Sequence, residues 1–449
     1  MSLPPAELRV LGTIQVSPPP GTVAESILPL TFLDLIWLNA GAVERVFFYS
    51  LPHSTSYFID SLLPNLKSSL SVSLQQFYPL AGKIRRSPDR DDRYELHYVD
   101  GDAVPFTVAE NDGDDFDDFS RSHARDFKRV SPLIPQLPKQ EDGGKRLLAL
   151  QVTVFPNQGV AIGVTVQHTA CDGSSSMRFM SWWAATCARA GGVAAPVPPT
   201  APVFDRTLVA DPRDLYSVFY KMGKDSAEIM EAMTNKAVPP DAVIGTFALG
   251  ADDIRRLKEM VSSRTKFHCS TIVVLFAFVW VCLVKARAIE SDERSLLIFV
   301  ADCRGRLQPP LPESYFGNCL TVCFAELTAG ELKGEDGTVV AARSIGKAID
   351  VLKEGPFEDA AHWPEKFKNM VSQQPLSVAG SPKLKVYDMD FGWGRPKKVE
   401  IPSIRYTGAM SVAESREEEG GVEIGFVLPK HEMEEFEKHF TGGLIKLLH

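Results

Sequence analysis

The sequence predicts a mixed α/β protein built in two halves. In both halves, segments with an apolar residue at every second position alternate with segments whose apolar residues recur at helical spacing. An Ala- and Pro-rich stretch over residues 191–204 (GGVAAPVPPTAPVF) separates the halves and is typical of a linker. We therefore expect an N-terminal domain over residues 1–190, a linker over residues 191–215 and a C-terminal domain over residues 216–449.

A hairpin followed by a helix is the clearest local pattern of the first half. Residues 147–155 and 160–167 alternate at period two around the turn-forming sequence PNQG, which predicts two antiparallel strands. Residues 177–192 then predict a helix that ends in two glycines, and Ser174–Ser176 offer caps for its start.

The same two periodicities predict the remaining elements. Strands are expected at residues 46–49, 296–301, 320–325 and 385–389. Helices are expected at residues 61–78, 252–261 and 338–354, and after Pro429. The apolar run over residues 272–284 is shorter than the roughly 20 residues that a membrane span needs, so we expect it to be a buried helix or strand.

Composition and charge exclude several classes of partner. With a net charge of −9 and a pI near 5.6, the chain lacks the basic face that nucleic-acid binding requires. Residues 1–12 lack the pattern of a secretory signal. Seven cysteines without a C-x-x-C pair are typical of buried free thiols in a reducing compartment. We therefore expect a cytoplasmic protein that binds neither nucleic acid nor membrane.

The motif HTACDG, residues 168–173, is the main candidate for chemistry. It places a histidine at the end of a predicted strand and an aspartate four residues later, just before a helix. Histidine is the side chain whose ordinary pKa suits the removal of a hydroxyl proton near neutral pH. The structural alternative is a core histidine bonded to the backbone, with Asp172 serving only as a helix N-cap, and the spacing leaves both interpretations open.

Metal, thiol and kinase chemistry are not favoured. A metal site at His168 would need a third ligand, and the other histidines form no H-x-x-x-H or H-E-x-x-H pattern. Cys171 is unsuited to pair with His168, because neighbouring residues of an extended turn point to opposite sides. DFGWG, residues 390–394, resembles a kinase metal-binding triplet, but the chain has no G-x-G-x-x-G loop. We expect no metal and no bound cofactor.

HTACDG together with DFGWG is far more specific than either motif alone, and the combination resembles the plant BAHD family of acyl-CoA-dependent acyltransferases. Further stretches along the chain are similar to family segments: LPLTFLDLIWL, FYPLAGKIRR, VWVCLVKAR, ADCRGR and YFGNC. YFGNC and SVAGSP look most like the branch that acylates anthocyanin, flavonoid and other phenolic glycosides, often with malonyl-CoA.

The resemblance implies a two-domain α/β architecture similar to chloramphenicol acetyltransferase, each domain having a mixed sheet with flanking helices. A channel between the domains would hold His168 at its centre, with CoA entering from one face and the acceptor from the other. His168 is implied to be the base that deprotonates the acceptor hydroxyl. That hydroxyl attacks the thioester carbonyl, and CoA thiolate leaves without a covalent enzyme intermediate.

Asp172 is implied to be the second catalytic residue of the motif. In the family this aspartate points away from the cleft and pairs with an arginine, which Arg304 in ADCRGR matches. We expect that ion pair to hold the turn and orient the histidine, with Gly173 permitting a backbone geometry that other residues resist. A mostly structural role, shaping the channel and the domain contact, is implied for four residues of DFGWG: Asp390, Gly392, Trp393 and Gly394.

Substrate contacts are expected on both sides of the channel. Lys258, Ser270 and Thr271 match the region of the family's CoA contacts, and their alternative is surface charge and a helix cap. Arg178, in the helix after HTACDG, is a candidate for binding a malonyl carboxylate, and its alternative is a surface arginine without a role. Ser381 stands where hydroxycinnamoyl-transferring relatives tend to carry a bulky aromatic residue, which leaves room for a large glycosylated acceptor.

The resulting hypothesis is a monomeric cytosolic enzyme that transfers malonyl from malonyl-CoA, its co-substrate, to a sugar hydroxyl of a phenolic or flavonoid glycoside. One alternative is hydroxycinnamoyl transfer to an alcohol or amine. Another is a catalytically silent relative that only binds CoA or a phenolic, although both motifs are intact. The choice among related substrates depends on pocket shape, which no motif encodes.

Overall fold

The computed structural model describes residues 8–139, 143–193, 198–234, 238–265, 269–370 and 373–447. Residues 194–197 of the predicted linker lie outside the described residues. Within them the strands are β1 (Arg9–Val16), β2 (Ser26–Pro29), β3 (Ala42–Ser50), β4 (Lys83–Ser87), β5 (Arg90–Tyr98), β6 (Val104–Glu110), β7 (Arg125–Asp126), β8 (Lys145–Arg146), β9 (Leu148–Phe155), β10 (Gly159–Gln167), β11 (Ala242–Leu249), β12 (Arg294–Asp302), β13 (Leu320–Thr328), β14 (Leu376–Gly380), β15 (Lys398–Glu400), β16 (Met410–Glu414) and β17 (Val422–Pro429).

The helices alternate with these strands in both halves, as the sequence predicts. They are α1 (Phe32–Leu35), α2 (Thr55–Tyr57), α3 (Leu63–Gln76), α4 (Phe116–Ser120), α5 (Phe127–Val130), α6 (Gly173–Ala190), α7 (Leu215–Thr234), α8 (Ala251–Arg264), α9 (Thr271–Ala286), α10 (Ala329–Lys333), α11 (Gly337–Asp350), α12 (Trp363–Met370) and α13 (Lys430–Lys446). In the part of the chain that the structure describes, none of them is both long and apolar enough to span a membrane.

The strands form two large sheets and one small one. The first large sheet has the order β1-β6-β9-β10-β3-β15, and the second has the order β13-β12-β14-β16-β17-β11-β7. A four-stranded sheet has the order β2-β5-β4-β8. The predicted hairpin is present, since β9 and β10 pair antiparallel from Gly159 opposite Phe155 to Val166 opposite Leu148.

Each large sheet takes its last strand from the other half of the chain. β15 of the second half pairs with β3, with Lys398 opposite Phe48. β7 of the first half pairs with β11, with Asp126 opposite Val243. The sheets therefore do not separate at residues 190 and 216, and those exact boundaries remain a prediction.

Helices cover one face of each large sheet because both elements present an apolar surface there. α3 and α6 pack on the first sheet through a core that includes Phe47, Ile162 and Trp183, all fully buried. α9 is the central helix of the second half and is buried along its length from Val273 to Val284. The apolar run over residues 272–284 is thus a buried helix, which settles the choice that the sequence left open.

Two local predictions were wrong. Residues 385–389 do not form a strand: Lys385 adopts a left-handed conformation (φ 51°), which interrupts any extended run, and a short 3₁₀ turn follows over Val386–Asp388. The helix after HTACDG begins at Gly173, and its N-cap is Asp172 rather than one of the serines. A carboxylate there accepts from a free N–H of the first turn, which Ser174–Ser176 inside the helix cannot do.

Candidate active site

The end of β10 places His168 at the mouth of a large cavity. β10 ends at Gln167, and His168 begins a single 3₁₀ turn. The main-chain N–H of His168 donates to Gly41 O at 3.3 Å. Along β10 the side chains of Val164 and Val166 are buried on the helix-covered side of the sheet, and His168 comes directly after the last residue of the strand. The strand thus carries the imidazole to the sheet's edge, where the apolar core gives way to open space.

The cavity measures about 2070 Å³ and is lined by residues of both halves. From the first half come His168, Trp37 and one face of α6, and from the second half come residues of β12, β14 and the chain that follows them. Ser174, Arg178 and Ser181 lie on that face of α6 because residues at spacings of three and four share one side of a helix. The volume accommodates two substrates at once.

His168 is held by stacking and by main-chain contacts. Its ring lies parallel to the Trp37 indole, with centroids 4.0 Å apart and planes 11° apart. Asn318 Nδ2 donates to His168 O at 3.0 Å, while the Nδ1 atom of the imidazole is buried and has no hydrogen-bond partner. Burial lowers the pKa of His168 below its usual 6.5, although the Asp172 charge and Asn318 act in the opposite direction. The imidazole is therefore neutral at pH 7, as a general base must be.

Asp172 is fully buried and uses both carboxylate oxygens away from the cavity. Oδ1 accepts from Ser175 N at 2.9 Å, which makes Asp172 the N-cap of α6. Oδ2 lies 2.8 Å from Arg304 Nη2 and accepts from Cys319 N at 3.0 Å. The ion pair expected from the resemblance is present, and so is the N-cap of the structural alternative. Asp172 acts on the histidine through charge and through the shape of the turn, not as a group that touches substrate.

Arg304 is the hub of this buried network. Besides Asp172 it contacts Asp302, with Nη1 2.6 Å from Oδ2, and Nη2 donates to the main-chain oxygens of Tyr315 and Gly317. Burial opposes the charge of the guanidinium, but the two carboxylates outweigh burial and raise its pKa above the usual range. The network ties the turn of HTACDG to YFGNC in the second half of the chain.

Asn318 and Asp34 form a second connection to the histidine that sequence reasoning did not identify. Asn318 Nδ2 donates to Asp34 Oδ1 at 3.1 Å and also to the carbonyl oxygens of His168 and Thr169. Asp34 is fully buried, and its other oxygen accepts from the N–H and the hydroxyl of Thr31. Both residues lie in stretches that carry the family resemblance, LPLTFLDLIWL and YFGNC, but nothing in their spacing shows that they meet.

The expectation for Gly173 was wrong in its reason. Gly173 is the first residue of α6 and does not have a positive φ, so its backbone is one that any residue adopts. What glycine provides is space, because a Cβ atom there would lie 3.2 Å from Leu384 Cδ1. Gly173 and Leu384 both line the cavity, so a side chain at residue 173 would crowd Leu384 there.

DFGWG packs in the core of the first half, away from the histidine. Asp390 Oδ1 accepts from the N–H groups of Gly392 and Gly394, which have φ values of 95° and 89°. Trp393 makes edge contacts with Tyr49 and with Phe58. None of Asp390, Gly392, Trp393 and Gly394 is among the described residues that line the cavity, so the loop joins the two halves without forming the cavity wall.

The predicted substrate contacts divide into two groups. Ser270, Arg178 and Ser381 line the cavity, whereas Lys258 and Thr271 are not among the described residues that do so. Ser270 is also the N-cap of α9, where its side chain accepts from Val273 N. Arg178 donates from Nη1 to Thr200 O at 3.1 Å and from Nη2 to Glu313 O at 3.0 Å.

Comparison with known proteins agrees with this geometry. The Transferase family model matches residues 12–442. The chain is 37% identical to phenolic glucoside malonyltransferase 1 of Arabidopsis thaliana, covering 96% of both chains. It is 36% identical to malonyl-coenzyme A:anthocyanin 3-O-glucoside-6''-O-malonyltransferase of Dahlia pinnata, covering 97% of both. It is 35% identical to coumaroyl-CoA:anthocyanidin 3-O-glucoside-6''-O-coumaroyltransferase 1 of Arabidopsis thaliana, covering 98% of both.

Solved structures confirm the predicted fold class. The fold is similar to that of vinorine synthase, with a TM-score of 0.68, 22% sequence identity and 96% of both chains covered. The α/β architecture with two large mixed sheets is therefore shared over nearly the whole chain, although so low an identity shows only the fold. Together with the family model and the curated relatives, these findings show that the chain belongs to the BAHD family of acyltransferases.

Proposed function

We propose that the protein transfers a malonyl group from malonyl-CoA to a sugar hydroxyl of a phenolic or flavonoid glycoside. The observation that carries the chemistry is a neutral, half-buried histidine beside a cavity with room for two substrates. The choice of substrates rests on relatives that are named malonyltransferases of phenolic and anthocyanin glucosides.

His168 acts as the general base in this reaction. It takes the proton of the acceptor hydroxyl while the hydroxyl oxygen attacks the thioester carbonyl. The tetrahedral intermediate then expels CoA thiolate, and the imidazolium supplies the proton that neutralises it. Since the acceptor oxygen attacks the acyl carbon directly, no bond to the protein forms. The depressed pKa keeps the base available at neutral pH.

Arg178 and Ser270 are the two predicted donor-binding residues that line the cavity. Ser270 lies at the N-terminus of α9, where a hydroxyl and free main-chain N–H groups suit an oxygen-rich ligand. Arg178 stays a candidate for the acyl carboxylate, although each of its Nη atoms already donates to a main-chain oxygen. Lys258 and Thr271 remain candidates for CoA contacts farther from the histidine.

Ser381 remains the candidate for the acceptor side. Its small side chain lines the cavity and accepts from Lys383 N, which fixes the turn before Leu384. A bulky residue at this position would occupy space that a glycoside needs.

The proposed setting is a monomer in the cytoplasm. All seven cysteines are buried free thiols, which is the usage of a reducing compartment. Residues of both halves of one chain line the cavity, which is compatible with a monomer. Sedimentation of the purified protein tests the oligomeric state.

A donor panel tests the function. Malonyl-, acetyl- and coumaroyl-CoA are each offered with a flavonoid glucoside, and CoA thiol release is followed for wild type and His168→Ala. We expect turnover with malonyl-CoA that falls by at least about 100-fold in the variant, because the general base is lost. His53→Ala, an exposed histidine outside the cavity, is the matched control. Turnover that survives His168→Ala contradicts the assigned base, and a preference for coumaroyl-CoA contradicts the assigned donor.

A further inference from the structure

A buried arginine on β3 faces the same cavity as the histidine. Arg45 is only 6% exposed and lines the cavity together with His168. In the pairing of β10 with β3 it lies opposite Val164, which is buried on the helix-covered side of the sheet. A guanidinium on that side of the sheet thus lines the same cavity as His168.

The hydrogen-bonding capacity of Arg45 is almost unused. Nη1 donates to the thioether sulfur of Met177 at 2.8 Å, and Nε is buried without a partner. A thioether is a weak acceptor, and an arginine has five N–H donors. Glu414 raises the pKa of Arg45 through its charge, but the two residues form no ion pair among the described residues, and Glu414 Oε1 accepts from Tyr387 N.

Other arginines around the cavity are engaged differently. Arg304 pairs with Asp172, Arg405 pairs with Glu44, and Arg287 has Nε 2.5 Å from Glu432 Oε1. Arg306 is exposed to solvent. Among the described arginines of the cavity wall, Arg45 therefore combines deep burial with the lack of a carboxylate partner.

A buried cation without a direct ion-pair partner is costly, because no carboxylate contact offsets its desolvation. Burial lowers the pKa of Arg45 to about 10, which still leaves the guanidinium charged at neutral pH. A carboxylate that enters the cavity would offset the desolvation of the Arg45 guanidinium by accepting two parallel N–H bonds. This site is suited to a ligand that brings its own negative charge.

We propose that Arg45 binds the free carboxylate of a dicarboxylic acyl group while the thioester carbonyl of that group faces His168. The inference rests on the proposed function and names the residue that selects its donor. Arg45 supplies a buried anion site beside Met177, whereas Arg178 is partly exposed and already donates to two main-chain oxygens.

The preference of each variant among acyl-CoA donors tests whether Arg45 binds the acyl carboxylate. Initial rates with malonyl-, succinyl- and acetyl-CoA are compared at one acceptor concentration for wild type, Arg45→Gln, Arg45→Lys and Arg178→Gln. We expect Arg45→Gln to lower the malonyl-over-acetyl ratio of kcat/KM by about 10- to 100-fold, the value of a charge-assisted hydrogen bond. Arg45→Lys should recover part of the ratio, since it keeps the charge but not the planar pair of donors. Succinyl-CoA tests how far the carboxylate lies from the thioester.

Folding and binding controls keep the outcomes separate. Arg90→Gln, at an exposed arginine of β5 outside the cavity, is the matched control for the loss of a guanidinium. Thermal unfolding of each variant shows whether it is folded. Equilibrium binding of malonyl-CoA and of acetyl-CoA without acceptor shows whether Arg45→Gln weakens the donor complex selectively.

Each result has one meaning. A wild type that does not prefer malonyl-CoA to acetyl-CoA overturns the proposed donor, whatever Arg45 does. A wild type that prefers malonyl-CoA, with an Arg45→Gln variant that keeps the preference, overturns the role of Arg45 alone. A folded Arg45→Gln that loses both donors equally also overturns it, because the residue then only shapes the cavity. Loss of the preference in Arg178→Gln but not in Arg45→Gln returns the carboxylate site to Arg178.

Discussion

At the residue scale, the imidazole of His168 depends on two carboxylates that never touch it. Asp172 acts through the turn and through its charge, and Asp34 acts through Asn318, which binds the carbonyl oxygens of the turn. Both carboxylates are buried, and each of their oxygens has a partner. Buried groups that hold the turn can thus fix the orientation of the imidazole without a direct hydrogen bond to Nδ1.

The burial of His168 should be visible in the pH profile of kcat/KM as a lowered apparent pKa. Because burial lowers the pKa of His168, the base is protonated only below its usual value of 6.5. We expect kcat/KM to be flat across pH 7 and to fall on the acid side, with an apparent pKa below 6.5. Rates at saturating donor and low acceptor concentration measure kcat/KM at each pH. An acid limb with an apparent pKa above 7 contradicts the assignment of His168 as the base.

Asp172→Asn should shift the acid limb of the kcat/KM profile to a lower pH. The Asp172 charge raises the pKa of His168, so its removal lets burial lower the pKa more. The variant should also lose about 3 kcal/mol of unfolding free energy, near the low end for a broken buried pair, because Asp302 still faces Arg304. Asp302→Asn is the control, since it removes the exposed partner of the same arginine. An unchanged acid limb in Asp172→Asn would show that its role is only structural.

At the element scale, DFGWG contains two glycines that share a positive φ but have different surroundings. Gly392 has a φ of 95° and lies against Ala188, where a Cβ would come within 3.3 Å of Ala188 Cα. Gly394 has a φ of 89° but open space around it. Alanine substitutions at these two glycines therefore distinguish the free energy lost to backbone strain from the free energy lost to a close contact.

We expect Gly394→Ala to cost about 1 kcal/mol of unfolding free energy, the price of a left-handed conformation alone. Gly392→Ala should cost about 1–3 kcal/mol more, because a close contact with the α6 backbone is added to the same strain. Urea unfolding of the two variants measures the difference. Equal losses would mean that α6 yields to the extra methyl group at no cost.

The sequence predicts elements best where the pattern is long. The β9–β10 hairpin and α13 follow from periodicity, and the Asp172–Arg304 pair follows from the family resemblance. The burial of α9 follows from its apolar run, but whether that run is helix or strand does not. β7 has two residues and β15 has three, which is too short for any period to be recognised. The sequence does indicate that Arg45 is unusual, because strand alternation puts its charge on the same buried face as Phe47 and Tyr49. No pattern in the sequence indicates that Asn318 contacts Asp34.

At the scale of the whole molecule, β7 and β15 make the two sheets depend on each other. Arg125 of β7 forms a buried ion pair with Glu400 of β15, so the two exchanged strands also contact each other. Neither sheet is complete unless both halves of the chain are folded.

We therefore expect the protein to unfold in a single cooperative transition. Differential scanning calorimetry should give one peak whose calorimetric and van't Hoff enthalpies agree. Glu400→Gln, which leaves Arg125 buried without its carboxylate, should lower the midpoint without splitting the peak. Two resolved peaks would show that the halves are energetically independent.

The exchange of strands also orders events during synthesis. The strand that closes the first sheet, β15, belongs to the second half of the chain and follows β14, so a ribosome must synthesise β4 to β14 before the edge of β3 is covered. Until then β3 presents the open edge of an apolar strand, which is a template for pairing with another nascent chain. The same pairing that joins the two halves of the mature fold thus leaves the first sheet open until β15 has been synthesised, and we expect chaperones that bind nascent chains to raise the yield of folded protein.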